Sequence, residues 1–301
     1  MDTCTINIIE KLLRCIVYSE GFMARTLFGG YLVNWVGGKR LLREAISYLI
    51  PEDINSYIEP FGGGGWVLFY YNRWADLEVY NDLDSRLVNL FRVVKYHPCE
   101  LAREMCYLLA SREQFAEAIK FEGYTDIQKA ARFMFLLTRS FGGRGYHFGV
   151  SYESSIKSAG GIIERIDAIY KRLDKSIIEH QSAFDLIPQY DTENAFFYCD
   201  PPYSCGAGYE VTSTKDFDHV GLRDLLKNIK GRFLLSYDDA PIIRELYKDF
   251  NIIEIERMNG INRKNPKNNV YKELLICNYD VHKVGSRWQV DNHKFKQEGL
   301  F

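Results

Sequence analysis

Short apolar runs alternate with amphipathic stretches along most of this chain. Apolar runs rich in β-branched and aromatic residues, bounded by polar residues or glycine, are typical of strands buried in a sheet. This pattern predicts strands at 57–60, 77–80, 176–179, 195–199, 232–236, 250–256 and 271–278. Strand and helix signals alternate from residue 39 to 96 and again after 176, which favours an α/β fold.

The stretch from about residue 98 to 148 has an almost wholly helical pattern. It predicts helices over 100–110, 113–121 and 126–138, with polar turns between them. A helical block between two alternating regions is typical of a module inserted into a Rossmann-like sheet. The predicted organisation is an N-terminal extension (1–30), a catalytic domain (31–97 and 150–301) and an inserted helical domain (98–149). Within the extension, residues 5–18 predict an amphipathic helix that packs on the body of the protein or on a second copy.

Composition and charge limit the functional classes. With 301 residues and 47% hydrophobic content, the chain can bury a substantial core, and a net charge of −2 argues against a general polyanion binder. The seven cysteines include no C-x-x-C pair and the six histidines are scattered, so neither a disulfide framework nor a metal site is predicted. No run of 18 apolar residues predicts a membrane span. These features favour a reducing cytoplasm.

The segment Asp200-Pro201-Pro202-Tyr203 directly follows the apolar run 195–199. Two prolines can neither continue a strand ladder nor begin a helix at once, which predicts a stiff, solvent-facing turn. The carboxylate and a proline-flanked carbonyl could accept both N–H groups of an aromatic amine, while the tyrosine offers a stacking face. The turn therefore indicates a base with an exocyclic amine as ligand. Taken alone, these four residues are equally typical of a simple strand-ending turn.

A second motif lies upstream, where the strand at 57–60 leads into Phe61 and four glycines. With a helix predicted over 66–74, this makes the strand, glycine turn and helix of a nucleotide-binding sheet. Asp82 ends the next strand 19 residues after Gly63, close to the spacing of about 20 at which an acidic residue binds ribose. The alternative for Asp82 is to cap the helix that begins at residue 85, which Asp84 would do equally well.

The two motifs together distinguish between nucleotide cofactors. A dinucleotide enzyme favours the pattern G-x-G-x-x-G beneath a pyrophosphate. A phenylalanine-glycine turn combined with a downstream Asp-Pro-Pro-Tyr suits S-adenosylmethionine and an amine acceptor instead. Methyl transfer is the chemistry consistent with both motifs.

Four motifs in this order resemble one protein family. They are Trp35-Val36-Gly37-Gly38-Lys39, Glu59-Pro60-Phe61-Gly62-Gly63-Gly64-Gly65, Asn81-Asp82-Leu83-Asp84 and Asp200-Pro201-Pro202-Tyr203. They look like those of the Dam-type (D12 class, α-group) adenine-specific DNA N6-methyltransferases. The resemblance covers most of the chain, since segments 137–145 and 272–279 are similar to further family motifs.

The resemblance implies a Rossmann-like S-adenosylmethionine-dependent methyltransferase sheet with an inserted, mainly helical target-recognition domain. It also implies site-specific transfer of a methyl group to N6 of a flipped-out adenine in double-stranded DNA. The catalytic residues would be Asp200, Pro201, Pro202 and Tyr203. The cofactor would be bound by Trp35, Lys39, Phe61, Gly63, Gly65, Asp82, Phe184 and Asp200. Ala183 replaces a family acid beside Phe184, which puts a polar contact with the cofactor's adenine there in doubt.

Two basic groups are candidates for DNA contact. Arg263, Lys264 and Lys267 lie in a loop between two predicted strands, although such a loop is also typical of a solvated hairpin. Arg132, Arg139 and Arg144 surround a glycine-rich loop, and one of them could read a guanine edge. The glycine-containing stretch 204–215 could form a mobile flap beside the active turn.

Alternatives to this function remain open. The acceptor could be RNA adenine or cytosine N4, or the chain could be a non-catalytic DNA-binding relative, against which the intact Asp-Pro-Pro-Tyr and glycine motifs argue. The expected partners are double-stranded DNA and, as a candidate, a cognate restriction endonuclease. We expect a monomer or weak dimer, without membrane association, in the cytoplasm of a bacterium or encoded by its phage.

Overall fold

The computed structural model describes residues 28, 30–35, 37–108, 110–149, 159–203, 217–258 and 270–281. Three predictions lie outside these residues. They are the N-terminal helix over 5–18, the flap at 204–215, and the basic loop with Arg263, Lys264 and Lys267.

The strands occur in the order that the hydrophobic pattern predicts. The described strands are β1 (Ser56–Glu59), β2 (Leu77–Asn81), β3 (Ser176–Glu179), β4 (Ala195–Cys199), β5 (Arg232–Asp238), β6 (Asn251–Met258) and β7 (Val270–Cys277). The described helices are α1 (Arg43–Leu49), α2 (Ser85–Tyr96), α3 (Pro98–Tyr107), α4 (Arg112–Lys120), α5 (Asp126–Arg139), α6 (Ala159–Leu173), α7 (Ala183–Tyr190), α8 (His219–Lys227) and α9 (Pro241–Leu246). None of these helices has the length and apolar character needed to cross a membrane.

The strands form one sheet in the order β3-β2-β1-β4-β5-β7-β6. Strands β1 to β5 pair in parallel, and β7 lies antiparallel between β5 and β6. At the centre, Ile58 of β1 pairs with Val79 on one side and Phe197 on the other. The chain order reverses between β1 and β4, so their carboxyl ends border the crevice in which open α/β sheets bind ligands. The predicted Rossmann-like sheet is confirmed.

Alternate strand residues bury opposite faces of the sheet, as the period of two requires. Tyr57 and Phe196 belong to a hydrophobic core that α1, α2, α3, α5 and α6 cover. Their neighbours Ile58 and Phe197 belong to a second core, which α7, α8 and α9 cover. The sheet is therefore buried on both faces, which explains why its strands are almost continuously apolar.

Helices α3 to α5 lie between β2 and β3 in the chain. Helix α5 begins with a capping box, in which the Thr125 hydroxyl accepts the Gln128 N–H and the Gln128 side chain bonds back. It packs against α2 and α3, and α3 packs against α6. The predicted bounds of these helices agree with the structure to within a few residues. Their assignment to a separate target-recognition domain stays a prediction.

The helix predicted over 66–74 is wrong, because the structure has a succession of turns there. Every side chain from 66 to 71 is buried, so this segment has no solvent-facing side of the kind that a surface helix shows. Buried side chains also bond its backbone: Arg172 donates to the carbonyl oxygens of Leu68 and Tyr71, each at 2.8 Å. Tertiary contacts thus replace part of the local hydrogen bonding of a helix, which persists between the Phe69 N–H and the Gly65 carbonyl oxygen at 2.9 Å.

Candidate active site

A cavity opens where β1 and β4 end, at the point of order reversal. It has a volume of about 1110 Å³, including its open mouth. Its walls come from residues 35, 37–39, 59–64, 66–67, 82–84 and 181–184, together with Tyr198, Asp200, Pro202 and Phe217. The strand-end motifs found in the sequence therefore converge on one site.

The glycine turn after β1 forms one wall of this cavity. Gly63 and Gly65 have φ angles of 49° and 67°, a backbone region that L-residues rarely adopt. Gly63 lines the cavity, whereas Gly65 is absent from its lining. A Cβ atom at Gly65 would lie 2.5 Å from the Phe69 ring. Gly65 packs closely on Phe69, and its contact with the cofactor stays a prediction.

Asp82 connects the glycine turn to the end of β2. Its Oδ2 accepts the Gly63 N–H at 2.7 Å and its Oδ1 accepts the Asp84 N–H at 2.8 Å. Burial raises the pKa of Asp82 to about 6. Asp84 caps α2 by accepting the Arg86 N–H at 2.9 Å. The capping role considered for Asp82 therefore belongs to Asp84, and Asp82 lines the cavity.

Aromatic rings line another part of the cavity. The Phe61 and Phe184 rings lie 5.7 and 6.0 Å from the Phe217 ring, measured between centroids. The methyl group of Ala183 and the side chain of Gln181 lie in the same lining. Phe217 and Gln181 were not predicted, because no local pattern distinguishes them from core or loop residues. This wall suits a flat, aromatic group.

Asp200 lies in an ionic and hydrogen-bonded cluster at the end of β4. Lys39 Nζ lies 2.6 and 2.8 Å from its two carboxylate oxygens, and Ser236 Oγ donates to Oδ1 at 2.9 Å. The Asp200 side chain is 19% exposed, and Pro201 is buried. The predicted solvent-facing turn is thus wrong at its first two residues, because Pro201 is buried and Lys39 and Ser236 contact Asp200.

The electrostatic environment of Asp200 contains opposing contributions. Burial raises the pKa of this carboxyl group, while the Lys39 ammonium group and the Ser236 hydroxyl act in the other direction. The nearby Glu273 carboxylate adds to the increase. Lys39 therefore favours the ionised form of Asp200, which is a hydrogen-bond acceptor only.

Tyr203 completes the turn. Its ring centroid lies 4.6 Å from Lys39 Nζ and 5.9 Å from the Tyr237 ring. Its hydroxyl donates to Glu273 Oε2 at 2.9 Å. The sequence did not reveal the roles of Ser236 and Glu273, although Glu273 begins one of the family-like segments. The Asp200 carboxylate and the Tyr203 ring thus contact the same group, the Lys39 ammonium.

Glu59, the last residue of β1, is a further cavity residue that was not predicted. Its side chain accepts the Tyr57 hydroxyl at 2.6 Å. Burial raises the pKa of Glu59 to about 8, so the protonated form predominates at neutral pH. Its place at the end of a predicted strand, directly before the Pro-Phe-Gly turn, could have indicated in the sequence that it lies at the site.

The candidate DNA-binding arginines differ in their surroundings. Arg132 donates to the carbonyl oxygens of Ala118 and Ile119, near the end of α4. Burial lowers the pKa of Arg132 and of Arg139. Arg144 is exposed after the short 3₁₀ turn Phe141–Gly143. Arg144 is therefore the most accessible of the three, and the DNA-binding role of all three stays a prediction.

Of the eight residues predicted to bind the cofactor, seven line the cavity, namely Trp35, Lys39, Phe61, Gly63, Asp82, Phe184 and Asp200. Residues 35–261 match the sequence profile of the D12 class N6 adenine-specific DNA methyltransferases. The chain belongs to this family. It is therefore an adenine-specific DNA methyltransferase, as the motifs had indicated.

Curated relatives of this D12 class methyltransferase include proteins from bacteria and a virus. The type II methyltransferase M1.LlaDCHI of Lactococcus lactis subsp. cremoris is 30% identical over 82% of this chain and 94% of its own length. M.CviBI of Paramecium bursaria Chlorella virus NC1A is 27% identical over 75% of this chain and 89% of its own length. The DNA adenine methylase of Serratia marcescens is 26% identical, with coverages of 81% and 96%.

Proposed function

We propose that this D12 class enzyme transfers a methyl group from S-adenosylmethionine to N6 of an adenine that is rotated out of duplex DNA. The observation that carries the proposal is the position of Asp200. Its carboxylate lines the cavity and begins the Asp-Pro-Pro-Tyr turn. A single group can therefore contact a cofactor on one side and an amine-bearing base on the other.

The cavity residues suit an adenosine cofactor. Phe61, Phe184 and Phe217 offer an apolar, aromatic wall for the adenine ring. The Asp82 carboxylate has lone pairs beyond its two backbone bonds and can accept hydrogen bonds from ribose hydroxyls. The Gly63 backbone allows close approach of the ligand. When bound, S-adenosylmethionine supplies a methyl group on a positively charged sulfur, which is an activated donor.

The role of Asp200 is to orient and polarise the amino group of the base. Adenine N6 is a poor nucleophile because its lone pair is delocalised into the ring. Hydrogen bonds from N6–H to Asp200 and to the Pro201 carbonyl oxygen would localise that lone pair and align it. The carboxylate also stabilises positive charge on N6 until a proton is lost to water. In the structure Lys39 binds both carboxylate oxygens, so an entering amino group must share or replace this contact.

The depth of this turn requires base flipping. Asp200 is largely covered, and a base paired within a duplex cannot reach it. Rotating one nucleotide out of the stack costs a few kcal/mol, which stacking on Tyr203 would offset in part. We infer that Arg144 contributes to the grip on the phosphate backbone, because its side chain is exposed. A cognate restriction endonuclease and a cytoplasmic location are parts of the same proposal.

The direct test combines radiolabelled S-adenosylmethionine with unmethylated duplex DNA of mixed sequence, followed by nucleoside analysis. We expect N6-methyladenine from the native protein and none from Asp200→Asn. The matched control Asp224→Asn alters a carboxylate that is 58% exposed and should methylate normally. Labelled N4-methylcytosine would identify cytosine as the acceptor instead, and transfer only to RNA in a parallel reaction would identify RNA. Cofactor binding without transfer to any nucleic acid would refute the proposal.

A further inference from the structure

Backbone hydrogen bonds contribute little to the Asp-Pro-Pro-Tyr turn, because two of its four residues lack an N–H group. Side chains on neighbouring strands bond to it instead. Ser236 of β5 donates to Asp200 Oδ1 at 2.9 Å, and Tyr203 donates to Glu273 Oε2 of β7 at 2.9 Å. The first and last side chains of the turn are thus oriented from the sheet.

Glu273 is a buried carboxylic acid that precedes a run of apolar residues in β7. Its residue surface is 3% exposed, and the three residues that follow it, 274–276, are fully buried and hydrophobic. Strand β7 lies between two partners, with Glu273 paired to Asp238 of β5 and Ile255 of β6. Burying a carboxylate at such a position is unfavourable unless hydrogen bonds compensate it. Packing alone does not explain why a glutamate stands there.

The contact with Glu273 determines where the Tyr203 ring lies. The hydroxyl is anchored at one end of the ring, and the Tyr237 ring lies 5.9 Å away with an interplanar angle of 35°. The Lys39 ammonium group, 4.6 Å from the Tyr203 ring centroid, also contacts Asp200. The ring and the catalytic carboxylate therefore converge on one position, which is where the amino group of the substrate base is proposed to bind.

We propose that Glu273 is a positioning residue for methyl transfer: through the Tyr203 hydroxyl it keeps the ring in the orientation that stacks on the substrate base. Glu273 touches neither base nor cofactor in this proposal and positions the base through Tyr203; its carboxylate also adds to the increase in the pKa of Asp200. The inference rests on the function proposed above, because it requires a base at this turn.

A double-mutant cycle tests the inference, with kcat and KM measured on unmethylated duplex DNA. Tyr203→Phe keeps the ring and removes the donor, and Glu273→Leu removes the acceptor. We expect each to lower kcat by about 10-fold, the usual effect of one hydrogen bond to a charged group, and the double variant to be no slower than either. Glu273→Gln retains an acceptor oxygen and should restore most of the loss.

Two controls separate positioning from a loss of structure. Affinity for S-adenosylhomocysteine, measured by calorimetry, should be unchanged in every variant of the cycle. Glu245→Leu alters a carboxylate that is 74% exposed on α9 and should leave kcat unchanged. The inference would be overturned if kcat of the double variant fell by the product of the two single decreases. An unchanged kcat in Tyr203→Phe would also overturn it, and this single variant remains informative if Glu273→Leu does not fold. A native protein that methylates no DNA would instead refute the proposed function.

Discussion

Arg172 of α6 provides the most direct test of how the cavity wall is supported. Its guanidinium group lies 2.6 and 2.7 Å from the two carboxylate oxygens of Glu78, and it also bonds the carbonyl oxygens of Leu68 and Tyr71. Both ionic side chains are 2% exposed. The pair therefore connects α6 and β2 to the turn segment that continues the glycine wall.

Replacing Arg172 with methionine preserves much of the side-chain volume but leaves the Glu78 carboxylate buried without its cation. Removing one partner of a buried ion pair destabilises a protein by about 3–5 kcal/mol. For a chain of this size, such a loss should lower the melting temperature by on the order of 10 °C. Two backbone carbonyl groups also lose their donors, which acts in the same direction.

Thermal unfolding followed by circular dichroism measures this effect. The matched control is Lys171→Met, one residue earlier on α6, where the Lys171–Asp167 pair has 43% and 24% exposed side chains. A surface pair of this kind contributes about 0.3–0.5 kcal/mol, so the control should barely change the melting temperature. The double variant Arg172→Met, Glu78→Gln should recover part of the loss because no charge remains buried. Equal melting temperatures for Arg172→Met and Lys171→Met would refute this reasoning.

Three further predictions concern the cavity itself. The pKa of Glu59 rises on folding from an ordinary 4.5 to about 8, so the native stability should fall as pH increases through this window, by up to about 1.4 kcal/mol per pH unit. Glu59→Gln should lack this dependence, so the same change of melting temperature with pH in both proteins between pH 5 and 8 would contradict the prediction. Gly65→Ala should lower the melting temperature more than Gly142→Ala. Both positions have a positive φ, but of the two only Gly65 would bring a Cβ atom against a side chain, at 2.5 Å. Equal decreases in melting temperature would show that the clash is relieved. Asp82→Asn should weaken S-adenosylhomocysteine binding by about 10-fold in calorimetry, the effect expected for a charged hydrogen bond. Asp84→Asn retains a good capping residue and should bind normally. Equal affinities of the two variants would show that Asp82 does not bind the ribose.

The sequence was informative wherever a local pattern has one structural meaning. Strands β3 and β4 occupy the predicted residues, because an apolar run of four or five residues between polar residues is short for a helix and favours a strand. Asp82 and Asp200 each follow a strand, and parallel strands bring their carboxyl ends to one edge, so their proximity to the same cavity could be expected. Such inferences depend on neighbouring residues and on the general rules of parallel sheets.

The same reasoning failed where an expected motif and burial disagree. A helix was predicted over residues 66–74 because they follow the glycine turn of a nucleotide-binding unit, yet every side chain from 66 to 71 is buried. Their carbonyl groups bond to Arg172, which lies about a hundred positions later in the chain. No local propensity contains that information, because the partner is supplied by the packing of α6.

The sequence by itself determined the α/β class, the strand order along the chain, the family motifs and the principal chemical groups of the site. Only the tertiary structure decided how those groups are paired. Lys39 and Asp200 are separated by 161 positions, and Tyr203 and Glu273 by 70. Their contacts exist because β1, β4, β5 and β7 are placed in an order that differs from the order of the chain. Hydrogen bonds and ion pairs act over a few ångströms, so their partners are determined by this spatial order of the strands.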